Sequence, residues 1–235
     1  MAPMPFYVAG RAVLSDDVRE ICSPYDDSLV GTYTVPAAAD IERAAAAADT
    51  VTRASRTLSA ATRAAALDHV SRRLAERSDE IAQLISAENG KPIMWARAEV
   101  ARAVSTFRWG AEEARRFSGE LQRLDTDAAA EGRMAIVRRF AIGPVLGISP
   151  FNFPLNLVAH KVAPAIACGA PIVLKPAPKT PLSALVLGQI LAETDLPEGT
   201  WSILPAADAD APALVADPRL PVISFTGSEQ VGYLI

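Results

Sequence analysis

Asn152 stands between Phe151 and Phe153 in GISPFNFPLN (147–156), with Pro150 and Pro154 stiffening the backbone on either side. A buried amide left without partners costs about 1–3 kcal/mol. Asn152 is therefore either a turn residue satisfied by its neighbours or a donor aimed at something a substrate brings. Lys175 ends the apolar run of IVLKPAPKTP, where an ammonium can hydrogen-bond a ribose or a phosphate, or simply meet solvent at a strand end. In FTGSEQVG, Gly227 permits close backbone approach and Ser228 can cap a helix whose free amides attract an anion. The same Gly-Ser-x-x-x-Gly spacing also describes an ordinary helix cap, and no G-x-G-x-x-G fingerprint occurs. His69 and His160 are lone histidines on helix faces and fit structural roles. Cys168 reads as a packed thiol and Cys22 has no activating neighbour, so neither is a candidate nucleophile.

The elements that must position these groups belong to a chain of 235 residues, half of them hydrophobic. That length suits one large domain, or one domain with an appendage. A net charge of −4, with arginines spread along helices, gives no electrostatic footprint for nucleic acid. Two cysteines make neither a disulfide framework nor a metal site, which points to a reducing cytoplasm. The N-terminal MAPMPFYVAG lacks the charge and apolar core of a signal peptide. The longest apolar run, 162–174, is broken by Pro164, Gly169 and Pro171, so no membrane partner is expected.

The first half reads as mostly helical. Residues 37–54 form an alanine-rich helix with Asp40 and Glu42 in its first turn, and Ser59 caps a second with Leu67, Val70 and Leu74 on one face. A third opens on Ser78 and closes at Asn89-Gly90, and a fourth covers about 94–117. The character changes at Asp125. RMAIVRRFAIGPVLG, with its β-branched residues and Gly-Pro, predicts an extended or hairpin element suited to an oligomer contact or a plain edge strand. From Val145 onward, continuously apolar strands (VLGIS, PIVLKP, WSILPA, PVISFTGS) alternate with helices. This pattern predicts a doubly wound parallel α/β sheet that binds ligands beyond the carboxyl ends of its strands. Three parts follow: a helical 1–124, an extended 125–145 and a sheet core 146–235.

Several motifs resemble one family, the aldehyde dehydrogenases. FYVAGR, SPYDDSLVGTY, LSAATRAAALDHV, ENGKP and TFRWGAEEARR are similar to its N-terminal region, and the segment 143–176 with ISFTGSEQVG to its Rossmann-like cofactor core. The resemblance implies oxidation of a small-molecule aldehyde to a carboxylate with NAD or NADP. In that chemistry a cysteine thiolate attacks the carbonyl, hydride passes to the cofactor and water hydrolyses the thioester. Carried over residue by residue, Asn152 is the amide that donates to the oxyanion and Lys175 binds the adenosine ribose. Gly227 and Ser228 form the turn under the pyrophosphate, with Val231 and Gly232 beside the adenine. Ile148, Ser149, Pro150 and Phe151 supply backbone and wall contacts to the cofactor. A homodimer or homotetramer is the expected assembly.

Departures from the family pattern carry expectations too. Pro178 stands where many members place a glutamate that grips the ribose, and Lys179 lies next to it, so NADP should be tolerated beside NAD. Ala206-Ala207 replaces a glycine after the third core strand, and Phe151 replaces a tryptophan. The family's nucleophilic cysteine and general-base glutamate fall beyond FTGS, outside this chain. The apolar ending at Ile235 therefore reads as a cut, and the chain as inactive alone. Two other readings stand beside it. One is a non-catalytic nucleotide-binding module, and the other a relative that passes the acyl group to CoA or phosphate. Phe153, Leu157 and Trp109 suggest an apolar substrate entrance.

Overall fold

A computed structural model describes residues 2–235. The core is a six-stranded sheet built from β1 (Phe6–Val8), β2 (Arg11–Val13), β7 (Val145–Ile148), β8 (Ile172–Lys175), β9 (Trp201–Ile203) and β10 (Val222–Phe225), in the order β10-β7-β8-β9-β1-β2. The four strands from β7 to β10 are parallel, with Ile148 level with both Lys175 and Phe225. Chain order runs outward from β7 through β8 to β9, then returns to place β10 on the other side of β7. Right-handed crossovers put α5 (Asn156–Cys168) and α6 (Leu182–Leu191) on one face and α7 (Ala211–Val215) on the other. The expected doubly wound sheet is present. Its winding reverses between β7 and β10, which makes the crevice beyond their carboxyl ends the ligand position for this architecture.

The helices before the core are α1 (Ala38–Thr57), α2 (Ala60–Glu76), α3 (Ser78–Asn89) and α4 (Ile93–Arg116). The Ser59 hydroxyl accepts from Thr62 N, as a cap should. Helices α2 to α4 form a layer over α5 and α6, while α1 packs on β1 and β8. No helix among the described residues is long and apolar enough to cross a membrane.

Residues 6–34 depart from the helical expectation. They form β1 and β2 together with a separate two-stranded sheet of β3 (Val18–Cys22) and β4 (Leu29–Thr34). Ala9 and Gly10 turn the first hairpin with positive φ at both positions, 54° and 85°, a geometry that matches the twist of short antiparallel strands. β1 then adds antiparallel to β9, so the N-terminal segment belongs to the core sheet. The excursion is also shifted. β5 (Gly119–Arg123) pairs with β6 (Met134–Arg138), so only the second arm lies within 125–145, and Gly143-Pro144 leads into β7 rather than turning a hairpin.

Two buried glutamates fix where α5 and α6 begin. Both helices start without a capping side chain of their own. Glu88 of α3 accepts from Leu182 N and Ser183 N at 2.8 and 3.1 Å, and Glu99 of α4 accepts from Leu155 N and Asn156 N at 2.9 and 3.1 Å. Each satisfies orphan amides at a helix end whose dipole favours negative charge. Burial, with a smaller push from Glu99, raises the Glu88 carboxyl from 4.5 to about 7. Between those values the folded chain holds a proton that the unfolded chain has released. Stability therefore falls as pH rises through that window and levels off above it. The melting temperature should drop from about pH 5 to about pH 8, and Glu88→Gln should flatten that slope. An unchanged slope in the variant would remove Glu88 as its cause.

Candidate functional site

The residues expected to carry chemistry gather at the carboxyl ends of β7, β8 and β10. Beyond β7, the loop holding Asn152 is tied down through its backbone. Phe151 O accepts from Asn89 Nδ2 at 2.8 Å and from Thr180 Oγ1 at 3.2 Å. Asn152 O accepts from Lys91 Nζ at 2.6 Å, and the same ammonium reaches Glu99 Oε2 at 2.6 Å and lies 4.4 Å from the Phe153 ring centroid. Among the described residues the Asn152 side-chain amide has no hydrogen-bond partner, and the residue is exposed. Lys91 thus holds the Asn152 backbone while its side-chain amide stays open to solvent.

Ser149 closes β7. Its N–H donates to Lys175 O at 3.2 Å, while its hydroxyl is buried without a partner among the described residues. Lys175 is buried at 3% exposure, not a solvated strand end, and its ammonium stands 2.7 Å from Asp208 Oδ1. Beyond β10, Thr226 N donates to Ile148 O at 3.1 Å, binding the two switch-point strands together. A Cβ on Gly227 would sit 2.3 Å from the tip of the Phe225 ring, so a larger residue there would require that ring to move. The Ser228 hydroxyl accepts from Val231 N at 3.4 Å at the start of α8 (Glu229–Leu234), and Val231 and Gly232 lie exposed on that turn. Pro150 is half-buried, and Phe151 is exposed with Lys179 Nζ 5.7 Å from its ring.

Four participants escaped the reading of the sequence. Lys91, Glu99 and Asp208 contact the site from 33 to 61 residues away in the chain. Lys161 stands on α5, buried, with Nζ 2.8 Å from Thr226 Oγ1, and burial pushes its pKa down to about 8. A lone lysine in the apolar run NLVAHKVAPAIAC was the available signal.

The remaining candidates lie elsewhere. Cys168 ends α5 at the opposite edge of the sheet, its Sγ 3.3 Å from Ala165 O, and Cys22 ends β3. His69 bonds Glu193 at 2.8 Å. His160 lines a 370 Å³ groove between α4 and α5 with Trp109 and Pro164, and partial burial with the charges of Arg102 and Lys161 lowers its pKa. Of the suggested entrance residues, Trp109 lines that groove, whereas Phe153 lies under Lys91 and Arg102 near Asn152.

The chain is 35% identical to the 3-sulfolactaldehyde dehydrogenase of Priestia aryabhattai over 97% of its own length and 48% of that protein's. Its fold superimposes on aldehyde dehydrogenase 21 from Physcomitrella patens, solved with the reaction product succinate, with a TM-score of 0.94 and 43% identity over 99% of this chain and 49% of that one. The NADP-dependent glyceraldehyde-3-phosphate dehydrogenase of Bacillus halodurans, complexed with NADP, gives a TM-score of 0.93 at 29% identity, covering all of this chain and 50% of that one. This chain thus spans about half the length of the relatives it matches. Residues 13–235 match the Aldehyde dehydrogenase family, so with the motifs and sheet described above the chain belongs to that family.

Proposed function

We propose that this chain is the cofactor-binding part of an NAD(P)-dependent aldehyde dehydrogenase whose substrate carries a second, anionic group. The observation behind this reading is the cluster at the switch point: an unpartnered Ser149 hydroxyl, a buried Lys175 ammonium and an open Asn152 amide. These polar groups fit a dinucleotide, and one of the relatives above was solved with NADP. Lys175 would hold the adenosine ribose, Gly227 and Ser228 the pyrophosphate, and Val231 and Gly232 the adenine side. Ile148, Ser149, Pro150 and Phe151 would form the wall. When bound, the nicotinamide supplies the hydride acceptor. Asn152 donates to the carbonyl oxygen as a cysteine thiolate, from outside these 235 residues, adds to the carbon.

The substrate class rests on Arg102. Its guanidinium lies 5.6 Å from the Phe153 ring centroid beside the Asn152 loop, and no carboxylate pairs with it among the described residues. The sulfolactaldehyde, succinate and glyceraldehyde-3-phosphate named for the relatives are all anionic. Exposed Leu121, Met134 and Ile136 on the β5–β6 hairpin suit contact with a second copy, in a homodimer or homotetramer.

The full-length protein should form NADH or NADPH with aldehydes bearing a carboxylate or sulfonate. Its kcat/KM for these should exceed that for neutral aldehydes of equal length by about tenfold, a difference of about 1.4 kcal/mol. Arg102→Met should erase most of that margin. No aldehyde-dependent reduction of either cofactor would sink the reading, and equal use of neutral and anionic aldehydes would remove the substrate class.

A further inference from the structure

The buried Lys175 ammonium needs a counter-charge, and the sequence pattern suggests none nearby. Three residues on, Pro178 has no carboxylate, and its carbonyl is tied to the Tyr33 hydroxyl at 3.2 Å. The acid comes instead from the turn after β9. Asp208 places Oδ1 2.7 Å from Lys175 Nζ while its own side chain stays 86% exposed. Leu204 N donates to Leu174 O at 2.8 Å, which fixes the strand leading into that turn beside the end of β8. An ammonium buried at the sheet edge thus faces a carboxylate that is open to solvent on its outer side.

We propose that Asp208 is the carboxylate that reads the adenosine ribose at the Lys175 subsite and makes the protein favour NAD over NADP. This rests on the cofactor reading given above. A ribose presents two neighbouring hydroxyls, each both donor and acceptor. Lys175 donates to their oxygens and Asp208 accepts from their hydrogens, and bonds to charged partners are about twice as strong as neutral ones. Only Oδ1 of Asp208 is engaged with Lys175, so the carboxylate can keep that contact while its other oxygen accepts from a hydroxyl. A 2′-phosphate has no hydroxyl hydrogen to give there and carries about −1.5 to −2 at neutral pH, so it meets Asp208 as a like charge. Lys179, which suggested tolerance of NADP from the sequence, is exposed and lies against Phe151, where salt screens it. Lys161 is engaged with Thr226 and Ser224.

Calorimetric titration of NAD+ and NADP+ into the full-length protein tests the assignment. The wild type should bind NAD+ more tightly. Asp208→Asn, which keeps shape and removes charge, should compress the ratio by roughly tenfold, chiefly through tighter NADP+ binding, with the effect shrinking at high salt. Lys175→Met should weaken both cofactors. If both bind but Asp208→Asn leaves the ratio within about twofold of wild type, the proposal is overturned. In that case a lowered melting temperature would make Asp208 a counter-ion of Lys175 and nothing more. A wild type that prefers NADP+ also overturns it. If neither cofactor binds, or Lys175→Met changes neither, the cofactor site itself is misassigned and this proposal goes with it.

Discussion

Asn152→Ala in the full-length protein should lower kcat by about 10²–10³-fold while leaving the NAD(P) dissociation constant near the wild-type value. Charge develops on the carbonyl oxygen only once the thiolate has added, so a donor aimed at that oxygen strengthens most in the transition state. On the proposed role, the loop geometry would make the amide a preorganised donor. Its backbone is clamped by Asn89, Thr180 and Lys91, so little reorganisation is needed at the moment of reaction. Losing one such donor costs roughly 2.7–4 kcal/mol, far more than a single surface hydrogen bond would account for. Asn152→Asp should be worse, because it replaces the donor with a charge that repels the oxyanion. Stopped-flow measurement of the hydride step together with cofactor titration separates the effects. An unchanged kcat removes the oxyanion role, and a cofactor affinity that falls in parallel would reassign Asn152 to cofactor binding.

The parallel core was legible because each of its strands is a short, continuously apolar run between amphipathic helices. VLGI, IVLK and VISF have no other reading once helices separate them. The polar residues at their ends must then lie on one edge, which is why the sequence pattern groups Asn152, Lys175 and Gly227. The first 35 residues were less transparent. Strands of three residues carry almost no periodic signal, and Ala9-Gly10 is not the Asn-Gly or Asp-Gly pair that announces a two-residue hairpin. In the excursion, GELQR is exposed at every position, so it shows no alternation to mark it as the partner of β6. The contacts that complete the site were hidden for another reason. Asp208 reaches Lys175, and Glu99 reaches Leu155, across 33 and 56 residues, and only the packing of helices and strands decides such pairings.

Glu99→Ala should be the most destabilising single change in the site. The side chain is 1% exposed, and its two oxygens do different work. Oε1 takes the first amides of α5 at Leu155 and Asn156, and Oε2 takes the Lys91 ammonium at 2.6 Å. Truncation leaves two amides at a buried helix start without an acceptor and an 11%-exposed lysine without its counter-charge. Breaking a buried pair from one side costs about 3–5 kcal/mol. For a chain of this size that corresponds to a fall in melting temperature of roughly 10 °C. Glu99→Gln should lose less, since an amide oxygen can still accept from α5 and only the charge opposite Lys91 is gone. The two variants therefore separate the cap from the ion pair. If both melt alike and near wild type, neither matters to the fold. If both fall equally, the ion pair carries the whole effect. Lys91→Met supplies the remaining corner: it leaves the cap intact but frees Asn152 O and uncovers the Phe153 ring. Its melting temperature should fall further than that of Glu99→Gln, because the fully buried Glu99 carboxylate loses its counter-charge, while kcat in the full-length protein falls with KM for the cofactor unchanged. A stable Lys91→Met variant with full kcat would mean that the Asn152 loop holds its position without Lys91.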